Sequence, residues 1–364
     1  MGQVATNERI RFGSREGHPS PSLARLSASA AQLDAAFRPA EQESALRNLE
    51  QQLAQLEELT RHQLSLVYQE ALVRALTSVR NDIDTLVIQP KFTARLEAFT
   101  TQVGTLVAGL ARSVEEEVAP FRKDIAAGGE MFDKELRRIA VSSTKFVEEG
   151  APTDVFASLV LALPEKPRNG TPIFHGFHSV CRTPVRSSLR ALDALSLSRE
   201  DTLVQLGSGC GDFVALAAAV SNAGSVIGLE LDSTLVKFSR SNCAALRLVR
   251  AQVVQGDPRS VDFRMGDLSK GNKFFLDAPY YGNVLKGAVR NLLAAARQRP
   301  ITVVTTGPIE NLEEISGGNL RCAESSSRAV ITYHSKRPSE IRMPEDRAAG
   351  NISGERIFAG TRYP

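Results

Sequence analysis

Residues 202–212 read Thr-Leu-Val-Gln-Leu-Gly-Ser-Gly-Cys-Gly-Asp, and residues 225–232 read Ser-Val-Ile-Gly-Leu-Glu-Leu-Asp. An apolar strand running into three alternate glycines narrows the choice of fold more than any other part of this chain. Leu203, Val204 and Leu206 give a strand with little alternation, the pattern of a strand covered on both faces. Gly207, Gly209 and Gly211 let the turn bring backbone N–H groups against a ligand, and residues 213–220 continue as an apolar helix. Glu230 follows 19 residues after Gly211, at the tip of a second strand, where a carboxylate can accept hydrogen bonds from a ribose diol. Strand, glycine turn, helix and acid-tipped strand make up a nucleotide-binding half-fold.

The spacing of the glycines narrows the ligand. A dinucleotide fingerprint is G-x-G-x-x-G with pyrophosphate over the helix N-terminus, whereas here G-x-G-x-G is followed by Asp212. An acid at that turn repels pyrophosphate. S-adenosylmethionine carries a sulfonium and an ammonium group and no phosphate, so its charge suits the turn better. Over residues 183–308 the chain resembles the class I, seven-strand S-adenosylmethionine-dependent methyltransferases. The resemblance implies S-adenosyl-L-methionine as cofactor and a cofactor-binding set of Thr183, Gln205, Gly207, Ser208, Gly209, Gly211 and Glu230. The family usually has an acid at the place of Gln205; an amide still hydrogen-bonds but brings no charge to the cationic end of the cofactor.

Further strand ends carry the remaining candidates, because ligands of an open α/β sheet lie beyond the C-terminal ends of its strands. A third strand is expected over 261–267, a fourth over 273–279 and a fifth over 301–306, with helices over 187–195, from 233 to about 250, and over 283–297. Residues 329–333 suit a closing antiparallel edge strand. In the family an acid after the third strand receives the adenine amino group. Asp267 fits that place and fits a plain turn aspartate equally well. The fourth strand runs into Asp277-Ala-Pro-Tyr280-Tyr281, a partial form of the [DN]-P-P-[YF] turn that holds a target nitrogen in amino-directed methyltransferases, with Ala278 in place of the first proline. Asp277, Tyr280 and Tyr281 are therefore the candidate catalytic residues, although both tyrosines also suit the core at a helix start. A lysine acceptor has a pKa of about 10.4, so presenting it neutral at pH 7 costs roughly 4.6 kcal/mol unless the site lowers that value.

Within the family, residues 198–212 and Gly228-Leu-Glu look most like the non-SET lysine methyltransferases, namely the disruptor-of-telomeric-silencing histone enzymes and the ATP-synthase c-subunit branch. Residues 174–186 take the place of the loop that covers the cofactor in the former branch. His175 and His178 fall in that loop as H-x-x-H without a neighbouring cysteine, so no metal site is expected. Arg182 and Arg186 flank Thr183-Pro184, either as surface cations or as partners of the cofactor carboxylate.

The rest of the chain reads as support. Residues 1–40 form a flexible leader, short of large apolar side chains, and Met1-Gly-Gln-Val-Ala-Thr6 matches the N-myristoylation acceptor pattern. Residues 41–150 carry leucine and valine stripes at helical spacing, interrupted by Pro90, Pro120 and Gly128-Gly129, and are expected to make an all-α helical bundle. Residues 151–335 form the methyltransferase domain with its upstream lid, a Rossmann-like α/β unit whose mostly parallel sheet has helices on both faces, and 336–364 form a polar tail. Forty-four basic against 41 acidic residues give no dedicated nucleic-acid surface. Four scattered cysteines without C-x-x-C fit a reducing, cytoplasmic setting, and no apolar run approaches a membrane span. The expected function is methyl transfer to nitrogen, on a lysine of a protein docked by the helical domain. Methylation of RNA or a small molecule is an alternative, as is a non-catalytic scaffold whose cofactor site has decayed at Gln205.

Overall fold

A computed structural model of the chain describes residues 39–60, 66–84, 90–142, 152–163, 183–277, 282–306, 312–323 and 330–343. Residues 1–38, His175, His178, Arg182, Tyr280, Tyr281 and residues 344–364 lie outside them. The helical part contains α1 (Pro39–Thr60), α2 (Leu66–Asp84), α3 (Thr93–Ala127), α4 (Glu130–Ser142) and α5 (Pro152–Val160). The stripe Leu46, Leu49, Leu53 and Leu56 of α1 packs in one buried cluster with Leu72, Leu76, Val79 and Ile83 of α2 and with Phe99 and Val103 of α3. Leucines at intervals of three and four place their side chains on one face, and that face is buried here.

Pro120 was expected to interrupt the pattern, yet α3 runs through it for 35 residues. Proline removes one backbone donor and crowds the preceding turn. Burial of Val118 and Phe121 on either side keeps the helix on course, and it ends instead at Gly128 and Gly129, both at positive φ.

The α/β part begins with α6 (Val185–Leu195) and continues through β1 (Thr202–Leu206), α7 (Asp212–Val220), β2 (Ser225–Glu230), α8 (Ser233–Ala245) and β3 (Ala251–Gln255). It then runs through β4 (Lys273–Asp277), α9 (Gly282–Ala296), β5 (Thr302–Thr306), α10 (Leu312–Ile315), β6 (Leu320–Cys322) and β7 (Val330–Ser335). The seven strands lie in the order β3-β2-β1-β4-β5-β7-β6, parallel from β3 to β5, with β7 antiparallel to both β5 and β6. This is a doubly wound, Rossmann-like sheet. Alternate strand residues divide between two cores, Leu203, Val226, Phe275 and Val304 facing α6 and α7, and Val204, Ile227, Phe274 and Val303 facing α9. The first core also takes in Val118, Phe121 and Ile125 of α3, Phe132 and Leu136 of α4, and Phe156 of α5.

The expected third strand over 261–267 is not a strand. β3 lies earlier, at Ala251–Gln255, and α8 stops at Ala245 rather than near residue 250, with Arg247 at φ 54 in the turn that follows. β3 forms one margin of the sheet. The carbonyl of Arg250, just ahead of β3, accepts from Val226 N–H of β2, so alternate carbonyls of the strand face away, and Arg240 Nε of α8 donates to one of those, Val253 O, at 2.7 Å.

Candidate functional site

β1 lies between β2 and β4; the crossover from β1 to β2 packs α7 on one face of the sheet, and the connection from β3 to β4 packs Phe263 and Leu268 on the other. A crevice therefore opens beyond the C-terminal end of β1, where such sheets bind ligands. Gly207, Gly209 and Gly211 all occupy the left-handed region, at φ 72, 55 and 82. At Gly211 a side chain is also excluded by space, since a Cβ there would lie 1.8 Å from Ser239 Oγ of α8. Gly228, in the middle of β2, makes a matching close approach. A Cβ on it would meet Ser208 Oγ at 2.7 Å, so a glycine in that strand lets the turn settle onto the sheet.

Glu230 ends β2 and gathers the turn. Its Oε2 accepts from Gly209 N–H at 2.7 Å and its Oε1 from Asp232 N–H at 2.9 Å. Each carboxylate oxygen has a second acceptor direction. Asp232 then caps α8 by accepting from Thr234 N–H at 2.7 Å and Leu235 N–H at 3.3 Å. Gln205 is 4% exposed, and its Oε1 has no hydrogen-bond partner among the described residues. Its side chain shares the sheet face of Leu203, because residues two apart on a strand point the same way. Ser208 Oγ, also buried in the turn, likewise has no partner among the described residues. Buried acceptors without a donor are uncommon in folded proteins, and at a crevice they fit a ligand that supplies one.

Asp277 stands at the end of β4. Thr183, two residues ahead of α6, donates its hydroxyl to Oδ2, and Thr306, the last residue of β5, donates to Oδ1. Thr306 and Asp277 are register partners, so the sheet itself sets their spacing. Thr183, read from sequence as a cofactor residue, donates to the carboxylate proposed for catalysis. Tyr280 and Tyr281 lie outside the described residues.

Asp267 does not end a strand. It belongs to a short 3-10 helix, Gly266–Lys270, leading into β4, and its Oδ2 accepts from Gln252 Nε2 at 2.6 Å. The acid that follows the observed third strand is Asp257, which sequence reading missed. Arg259 grips it, with Nε 2.8 Å from Oδ2 and the backbone N–H 2.8 Å from Oδ1, and this pairing holds the carboxyl below its usual range. The signal was Gly256-Asp257 one residue beyond Val253-Val254. Thr306 was missed as well, for nothing local marks a threonine at a strand end as a carboxylate partner. Among the described residues no group of acids, histidines and cysteines could hold a metal ion, and no helix is long and apolar enough to cross a membrane.

No protein-family model and no curated protein matches the sequence. Solved structures do resemble it at low identity. An RNA methyltransferase from Salinibacter ruber, in complex with S-adenosyl-L-homocysteine, is 20% identical over 46% of this chain and 98% of its own, with a TM-score of 0.33. A SAM-dependent methyltransferase from Aquifex aeolicus is 12% identical over 42% of this chain and 93% of its own, with a TM-score of 0.32. Precorrin-6y C5,15-methyltransferase from Geobacter metallireducens is 13% identical over 41% and 87%, with a TM-score of 0.30.

Proposed function

We propose that the chain is an S-adenosylmethionine-dependent methyltransferase acting on nitrogen, with a protein lysine as acceptor. The observation that carries this reading is Glu230, a strand-end carboxylate tied to Gly209 N–H at the switch point of the sheet. The residues present fit the cofactor. Glu230 is placed to accept from a ribose diol on its remaining lone pairs, and the unpartnered Gln205 Oε1 to accept from the ammonium end. Asp212, at the first position of α7, leaves the turn suited to a cationic ligand rather than a pyrophosphate. Asp257, after β3, takes over from Asp267 as the acid proposed for the adenine side.

When bound, S-adenosylmethionine supplies a methyl group whose carbon–sulfur bond breaks as the carbon–nitrogen bond forms, leaving a neutral thioether while the nitrogen loses a proton to water. Asp277 ends β4, beside the C-terminal ends of β1 and β5, and is the residue assigned to the acceptor nitrogen. Its carboxylate orients an N–H and favours a cationic or hydrogen-bearing nitrogen, which a lysine provides. Because the carboxylate also holds an ammonium in its charged form, loss of the proton has to be aided by burial of the acceptor.

Calorimetric titration with S-adenosylmethionine and with S-adenosylhomocysteine tests the cofactor reading. Micromolar binding that Glu230→Ala weakens at least tenfold is expected. Absence of binding to the unaltered chain overturns it. Transfer of labelled methyl to protein, followed by hydrolysis to amino acids, tests the acceptor, and label recovered in anything other than methylated lysine replaces lysine.

A further inference from the structure

A cavity of about 620 Å³ opens between the C-terminal half of α8 and β3, and Arg240 and Arg247 both line it. It lies apart from the crevice described above. α8 runs back along the sheet and ends beside the start of β3, whereas the crevice lies beyond the opposite ends of the strands. Arg240 is fixed by its bond from Nε to Val253 O at 2.7 Å, and its Nη1 and Nη2 have no partner among the described residues. The guanidinium of Arg247 has none there either. No acid lines the cavity among the described residues. Gln252 borders it, but its side chain shares the face of Val254, which packs on the second core, and bonds Asp267 there, whereas α8 covers the first core.

The backbone of Arg247 points the same way. It follows α8 at φ 54, with Arg247 N–H donating to Ala244 O and Leu248 N–H to Cys243 O, both at 3.0 Å. These paired bonds make a Schellman ending, whose left-handed position is normally glycine. Any side chain there crowds its own backbone, and this one gives nothing back through a hydrogen bond or ion pair among the described residues. Beside it Val249 is 94% exposed, and Ala244, Leu248 and Val253 continue the apolar lining.

We propose that this cavity binds a small organic anion, whose phosphate or carboxylate is held by Arg240 and Arg247 and whose apolar body covers Val249. The terminal nitrogens of a guanidinium hold such a group by two parallel bonds, and covering Val249 removes apolar surface from water. The site stands independently of the methyltransferase reading.

Four probes test it by calorimetric titration of the full chain below their micelle concentrations: octyl phosphate, octanoate, inorganic phosphate and octylammonium. Saturable binding of one equivalent of octyl phosphate or octanoate is expected, and the tighter of the two tells whether a phosphate ester or a carboxylate is the natural head. Inorganic phosphate should bind at least tenfold more weakly, and octylammonium not at all. Arg247→Gly and Arg240→Gln, the second of which keeps a donor for Val253 O, should each weaken the anion about tenfold, the scale of a lost charge-assisted bond. Without ligand, Arg247→Gly should raise the melting temperature by about 1–3 °C, since glycine relieves the turn.

Absence of saturable binding by both amphiphilic anions up to about tenfold above the millimolar range of weak ligands overturns the site. So does affinity that neither arginine variant changes, or octylammonium binding as tightly as the anions, the mark of an apolar patch alone. Inorganic phosphate binding as tightly as octyl phosphate overturns the role of Val249. A melting temperature that does not rise in Arg247→Gly shows the arginine to be holding the turn, and overturns its assignment to a ligand.

Discussion

Gln205 puts a neutral amide where a carboxylate would meet the cationic end of the proposed cofactor, and the consequence can be weighed. The side chain is 4% exposed and its Oε1 lacks a donor. Leaving such an acceptor unpaired costs about 1–3 kcal/mol, a deficit that an ammonium group removes on binding. Gln205→Glu should therefore act in two directions. Without ligand it buries a charge and lowers the melting temperature; with ligand it gains a charge-assisted bond, so affinity for S-adenosylmethionine should rise about tenfold. Melting curves with and without ligand check this, and the ligand-induced shift is expected to be larger in the variant than in the parent. Asp201, at the opposite end of β1, shows what a satisfied carboxylate does. Its Oδ2 accepts from Ser198 N–H at 2.7 Å and Oγ at 2.8 Å, and its Oδ1 from Asn272 Nδ2 at 2.7 Å. Partial burial pushes its pKa upward, but the bonds from Ser198 and Asn272 prevail and hold it below the ordinary 3.8. An acid depressed in the folded state stabilises above its unfolded pKa and loses that contribution as pH falls through the folded value. Asp201→Asn should thus be less stable than the parent at pH 7, and the gap should narrow in denaturant titrations as the pH is taken down below the ordinary 3.8.

Among the elements, the strands that ligand binding depends on were the easiest to read. β1, β2 and β5 are short apolar runs bounded by glycine, proline or charge, and a parallel strand buried on both faces leaves that imprint. β3 left none, because Ala-Gln-Val-Val-Gln at a sheet margin buries only Val253 fully. The alternation in 261–267 that imitated a strand has another origin. Asp262 accepts from Arg264 N–H at 2.9 Å and from Arg264 Nε at 2.7 Å, a local turn that buries Phe263 fully and leaves Val261 partly buried against the same core. Misplacing β3 also moved the third-strand acid from Asp257 to Asp267. Asp277 was legible as a residue, but Thr183 and Thr306 are 94 and 29 positions away, and only the folded sheet brings them together. In the helical part, the stripes gave the helices while Pro120 misled, since burial on both sides of it outweighs its local cost. That cost should be recoverable. Pro120 is exposed, so Pro120→Ala restores a backbone donor without disturbing packing and should stabilise the chain by about 1–3 kcal/mol, with cofactor affinity unchanged. Chemical denaturation of the two proteins decides it.

The division into a helical bundle and an α/β domain at residue 150 falls inside a continuous core. Val114, Val118, Phe121 and Ile125 of α3 and Phe132, Leu136 and Ile139 of α4 share a cluster with Leu203, Phe275 and Val304 of the sheet. Phe156 of α5 stacks edge-on against Phe121 at 5.1 Å and lies 5.7 Å from Phe132. Those seven side chains of α3 and α4, at about 1.5–3 kcal/mol each, contribute on the order of 10–20 kcal/mol, as much as the net stability of a whole domain. A chain beginning at residue 151 should lose cooperative unfolding in calorimetry, whereas the full chain keeps it. A sharp transition in the shortened chain would instead show that the sheet stands alone. The α3–α4 hairpin is therefore best regarded as a wall of the sheet's first core, and any substrate-docking role falls to the outer cluster of α1 and α2. A different consequence follows from the guanidinium of Arg240 over Val253 O. A bare strand margin is a template on which a neighbouring chain can lay down its own backbone. With that carbonyl already taken from within, a crowded solution offers such a neighbour one fewer place to begin, and a feature that adds nothing to catalysis helps the molecule remain a separate particle.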